Sequence, residues 1–232
     1  MPVATITPPR SEPAAQKSNS KATPAGSVSP LRLALFPARV FLALGWTRAG
    51  VEKLIDGSWW TGDYLLGFLD AQAGAALPFT TLFTNMIGVR SAILVSFVVL
   101  LVELALGFCL LTGRRLPAAL GAACALNITF VALGAVNPSA FYLVIQLALI
   151  MAMVSTRPVR SVRQNLAAIG ASLFAALAVT PFISTLHPHE VIDDPAIMLA
   201  TLSVLVAATL AIRMMDYFNA QQAHPARSRQ LS

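Results

Sequence analysis

The stretch LGWTRAGVEKLIDGSWW, residues 44–60, closes an apolar run that begins near Leu33 and holds Arg48, Glu52 and Lys53, with Arg39 upstream in the same run. A run of that length spans a hydrocarbon core of about 30 Å as a helix. A charge at the bilayer centre costs roughly 2.5–3.5 kcal/mol even on the lenient insertion scale. The run can therefore cross a membrane only if its charges find partners within a bundle, and that requirement sets the fold.

Working outward, the rest of the chain has the same character. Of 232 residues, 56% are hydrophobic and 11% charged, and the mean hydropathy is +0.71. Soluble domains carry about 25% charged residues, which excludes an ordinary soluble domain. Six apolar runs, 33–55, 87–111, 116–136, 139–155, 166–186 and 196–214, approach or reach spanning length. Helices or closed barrels alone satisfy every backbone group in lipid, and runs this long are helices. The expectation is an all-α polytopic membrane protein: residues 32–155 as a four-helix bundle and 156–216 as two further spans.

The ends differ from the middle. Residues 1–31 are rich in Pro, Ser, Ala and Thr without apolar periodicity, too polar to offset the entropy of ordering, so a disordered tail is expected. The basic residues there are not followed directly by a short apolar core and a small-residue site, which argues against a cleavable signal. Residues 217–232 read as a second flexible tail. Twelve of the 16 basic residues fall on one side of a six-span chain, while Asp56, Asp63, Asp70, Glu190, Asp193 and Asp194 fall on the other. The positive-inside rule then places both termini in the cytoplasm and the protein in the plasma (inner) membrane. The net charge of +6 reports topology; no basic face of the kind that binds nucleic acid is visible.

Polar residues inside the runs mark a candidate site. With a rise of about 1.5 Å per residue, Arg39 and Glu103 sit at similar heights and are expected to pair across the first two spans. Arg48 and Glu52, at i and i+4, share a helix face within ion-pair reach. Asn127 and Gln146 project from the third and fourth spans, and Lys53, near the outer boundary, is placed to snorkel to the headgroups. Two uses are open: interhelical glue worth about 0.6 kcal/mol per group, or a cavity for a polar head group or a proton path.

Other features read as structural. Cys109 and Cys124 lack a C-x-x-C arrangement and behave as small apolar thiols. Ala118, Gly121, Ala122 and Ala125 give the third span a small-residue face for close packing, and Pro181 kinks the fifth. Trp59, Trp60 and Tyr64 suit the membrane interface. Leu65, Phe68 and Leu69 suggest a short amphipathic helix there, either anchoring in the interface or roofing the bundle. His187, His189 and Glu190 are metal-capable types, yet their spacing matches no defensible ligand set, so no metal is assigned and an acidic solvated loop is expected. No phosphate loop, dinucleotide fingerprint or nucleophile elbow is present.

RVFLALGWTRAGVEKLIDGSWW, VELALGFCLLTGRRLPAALGA and GAVNPSAFYLVIQLALI, in this order over residues 32–155, resemble the DoxX/DoxD-like membrane proteins. The resemblance implies a four-helix membrane bundle associated with redox complexes. In DoxD-like members it implies a subunit of thiosulfate:quinone oxidoreductase, with membrane quinone as electron acceptor and a separate companion subunit. Under it, Arg39 or Arg48 donates to a quinone carbonyl and Glu103 or Glu52 relays protons. Lys53, Asn127 and Gln146 complete the binding layer, and Arg90 with Lys53 attracts the anionic donor. From a different class comes a non-catalytic membrane anchor or assembly subunit for a redox or stress-response partner. A small-solute transporter is a third reading, without the inverted repeat or paired broken helices transporters show.

Overall fold

The computed structural model describes residues 35–85, 90–155, 159, 161–185 and 193–229, and these form helices and no strand. The expected tail 1–31 and the side chains of His187, His189 and Glu190 lie outside the described residues. In chain order the helices are α1 (Phe36–Ile55), α2 (Gly57–Thr61), α3 (Asp63–Gln72), α4 (Thr80–Phe83), α5 (Ala92–Thr112), α6 (Leu116–Ala132), α7 (Ser139–Ser155), α8 (Val162–Val179) and α9 (Pro195–Arg229).

Local chemistry sets the breaks between them. Asp56 ends α1 and caps α2, accepting from Ser58 N at 2.9 Å and Ser58 Oγ at 2.7 Å. Gly62 then turns the chain at φ 83°, where a Cβ would also press on Ala92 at 3.0 Å. Both demands exclude a side chain there. Ser161 caps α8 by accepting from Gln164 N at 3.3 Å. Pro181 does not kink α8, as the sequence suggested. The helix stops at Val179 and continues as a single 3₁₀ turn, Thr180–Phe182, because proline has no N–H to give and its ring crowds the carbonyl four residues back. That carbonyl, on Leu177, accepts from both the N–H and the hydroxyl of Thr180.

Helix α1 packs along α5, α5 on α6, α6 on α7, and α7 back on α1, closing a ring of four. Its dry centre is Leu42, Ala43, Leu106, Leu110, Leu120, Ala123 and Leu149. The α1–α5 approach is set by glycine. A Cβ on Gly107 would collide with Thr47 Oγ1 and stand 3.0 Å from Thr47 N, and one on Gly50 would strike Leu104. Helix α9 joins the ring through Leu202, which packs with Val131, Val136, Ala140 and Leu143, while α8 packs along α9 and buries only Ala176.

Among the described residues, three helical segments are long and apolar enough to cross a membrane: Ala92–Thr112, Val162–Phe182 and Pro195–Asn219. The other expected spans meet one condition each. Helices α6 and α7 are apolar but have 17 residues each, about 25 Å of helix. Helix α1 has 20 residues but carries four charges. At the C-terminus, α9 continues to Arg229, through residues placed in a flexible tail. On α6 the small-residue face is also reversed: Ala118, Gly121, Ala122 and Ala125 point outward, and Ala119 and Ala123 are the buried pair.

Candidate functional site

Inside the α2/α3 end of the ring lies a cavity of about 500 Å³, within the range of small-molecule sites. Trp46, Trp59, Phe68, Phe83 and Phe130 supply aromatic wall, and Lys53, Glu103, Asn127, Ser139 and Tyr142 supply the polar groups. Helices α2 and α3 roof it. Trp59 is buried, its Nε1 donating to Ser96 O at 2.9 Å, so it locks the roof to α5 and is not the interfacial anchor expected of it. Trp60 and Tyr64 remain exposed. Tyr64 packs against Trp59 with centroids 5.1 Å apart and the rings tilted by 58°.

The charged centre of the cavity is an ion pair between α1 and α5. Lys53 Nζ donates to Glu103 Oε1 at 3.0 Å and lies 2.9 Å from Oε2. The second oxygen takes the charge contact without a hydrogen bond and has no other partner. The ammonium also sits 5.0 Å from the Trp59 ring centroid, an arrangement that favours a cation. Glu103 and Asn127 are each 1% exposed, while the Lys53 side chain keeps 20% of its surface. A molecule in the cavity therefore meets Lys53 directly and Glu103 through it.

The expected Arg39–Glu103 pair does not form. Arg39 reaches the opposite end of α5, where its Nη1 would stand 2.9 Å from a Cβ on Gly113, and its guanidinium lies 5.3 Å from the Phe36 ring centroid. Lys53 turns inward to Glu103 and does not snorkel outward. Arg48 and Glu52 form the expected i,i+4 pair, Nε to Oε1 at 2.6 Å, but with side chains 80% and 59% exposed on the outer face of α1; they line no part of the cavity. Gln146 is fully buried, with neither side-chain atom hydrogen-bonded, and lies in the ring outside the cavity lining. Of the charged and amide residues expected to form the site, the cavity joins Lys53, Glu103 and Asn127. Sequence reasoning did not assign Trp46, Ser139 and Tyr142 to the site; the seven-residue step from Trp46 to Lys53 was the available signal, since it puts both on one face of α1.

Beside the cavity, sharing Trp59, is an open groove of about 710 Å³ lined by Trp60, Thr61, Arg90 and Phe97 among others. Away from both, Asp194 anchors the start of α9. Its Oδ1 accepts from Ala196 N at 2.8 Å and Ile197 N at 3.0 Å, and its Oδ2 from Ser184 N at 2.8 Å and Ser184 Oγ at 2.7 Å. Burial pushes this carboxyl up, and the donated hydrogen bonds outweigh it, holding it below its ordinary range. The loop is thus no simple solvated acidic turn at this residue. Among the described residues no three His, Cys, Asp or Glu side chains converge as a metal site, and Cys109 and Cys124 are free thiols.

Comparison of the chain with protein-family models, with curated proteins and with solved structures returns no match.

Proposed function

We propose that the chain is a membrane subunit of a quinone-linked redox system, a DoxX-like four-helix bundle with two added helices, whose cavity receives the head group of a membrane quinone. The observation that carries this reading is the Lys53–Glu103 pair set in an aromatic-walled cavity. A quinone is a flat ring with carbonyl acceptors. Lys53 has three N–H donors, so it can serve Glu103 and a carbonyl together. Reduction to quinol takes up two electrons and two protons; Lys53 would hand one proton to a carbonyl oxygen while Glu103 holds the lysine in position, and the second proton, like the one that recharges Lys53, would enter from water. Asn127 and Tyr142 flank the ring. The electrons come from a sulfur donor bound outside the cavity: two thiosulfate ions joining as tetrathionate release the pair, relayed by a companion redox subunit. Arg90, on the groove that shares Trp59, supplies positive potential for such anions.

The charge distribution supports an inner-membrane setting with six spans and cytoplasmic termini. Arg39 lies beside Gly113, at the end that also carries Arg114 and Arg115. Asp56, Asp193 and Asp194 flank helices, and Asp63 begins α3, at the other end of the alternating chain. The test is thiosulfate-dependent quinone reduction in everted and right-side-out vesicles, compared between cells with and without this chain. Quinol formation that depends on the chain supports the reading, and equal rates with the chain present and folded refute it.

A further inference from the structure

The outer face of α1 carries a pattern the cavity does not use. Pro37, Phe41, Leu44, Arg48, Val51 and Ile55 recur at alternating four- and three-residue steps, and all are exposed. That spacing draws a straight seam along a helix and meshes with a like seam on a second helix. Helix α7 meets this seam at Phe41, edge-on through Phe141 and Tyr142, and the rest of the seam from Leu44 to Ile55 stays exposed. Leu44 is 59% exposed and Ile55 78%.

Its depth makes the open seam significant. Gly107 abuts Thr47 and Gly50 abuts Leu104, so Arg48 and Glu52 lie level with the middle of α5, a helix apolar enough to span the bilayer. Where α5 crosses lipid, an outward Arg–Glu pair at that level faces hydrocarbon. Ionisable groups within spans instead turn to protein or to water-lined interiors. The seam therefore calls for a protein cover.

We propose that this cover is a second copy of the chain, the two α1 helices packing in parallel about a two-fold axis along the membrane normal. Identical insertion sets both copies at one depth, and a two-fold contact requires a patch that complements itself. The Arg48–Glu52 pair meets that requirement. Its positive and negative groups, one turn apart, alternate around a four-membered network when joined to their two-fold image. Arg48 spends Nε on its own Glu52, and its remaining guanidinium N–H groups are free to reach the Glu52 of the second copy. A buried polar residue in an apolar seam also fixes register.

The test uses the full chain in lipid nanodiscs with Cys109→Ala and Cys124→Ala as background. Leu44→Cys and, separately, Ile55→Cys should oxidise to a disulfide-linked species of twice the 24.5 kDa chain mass, whereas Phe174→Cys, on the outward face of α8, should not. Without the added cysteines, Arg48→Glu alone and Glu52→Arg alone should each shift the particles to single copies. The double exchange should restore pairs. Cross-linking at the seam no greater than at Phe174→Cys overturns the proposal, as does a cross-linked product of any other mass. So does a double exchange that stays single while melting like the parent.

Discussion

Lys53 on α1 and Glu103 on α5 meet at 2.9–3.0 Å across the first helix pair, fifty residues apart in sequence and at the wall of the ring's cavity. The contact exists because Gly50 and Gly107 bring the two helices close enough for a lysine stem to reach the neighbouring helix. It fixes a cation and its counter-charge against Trp59 in an aromatic-walled interior.

Removing one partner leaves the other buried and uncompensated. Lys53→Met is expected to destabilise the protein by about 3–5 kcal/mol, read from unfolding titrations in mixed detergent. Pairing it with Glu103→Leu should recover most of that loss, since an apolar pair of similar volume tolerates the same site, while quinone turnover stays abolished. A double variant as unstable as Lys53→Met alone contradicts this account of the pair.

Glycine substitutions should separate packing from propensity. Gly107→Ala forces a methyl into Thr47 and is expected to cost about 1–3 kcal/mol through overpacking. Gly67→Ala, on α3 with nothing within 4 Å of a new Cβ, should stabilise by roughly 0.5–1 kcal/mol because alanine is the better helix residue. Thermal melting of the two variants in one lipid checks the opposite signs; equal shifts would contradict the α1–α5 contact.

The Asp194 clasp predicts a pH signature. Its folded carboxyl lies below the ordinary value of 3.8, so the unfolded chain takes up the proton first as pH falls. The stabilisation is complete above the ordinary value and is lost as pH drops through the lower folded one. Asp194→Ala is expected to cost about 1 kcal/mol as a lost helix cap. Its melting deficit should stay constant from neutral pH to about pH 5 and close only in stronger acid. A deficit that widens on acidification runs against the hydrogen-bond network.

How legible this was in sequence varied with the kind of interaction. Helix α7 was readable to its ends, and the Arg48–Glu52 pair followed from i,i+4 spacing, because both are local. The Lys53–Glu103 pair was not. Heights counted from helix ends assume flush helices, and that matched Glu103 to Arg39. The actual register follows from the glycine contacts, Thr47 against Gly107 and Gly50 against Leu104, which slide Arg39 to the far end of α5. Lys53 was assigned to headgroups because it lies near the end of its run, although the step from Trp46 pointed it inward. Which face of α6 is buried was equally hidden, since alanines occupy both sides and periodicity could not choose between them.

The most direct test of the central claim is quinone binding at the cavity. Trp46 and Trp59 line it, so in a Trp60→Phe chain a short-tailed quinone should quench the remaining tryptophan fluorescence saturably. Glu103→Gln should weaken that binding while the protein keeps its fold by circular dichroism. Quenching that never saturates, or that saturates identically with Glu103→Gln, would contradict the assignment of this cavity and its ion pair to a quinone.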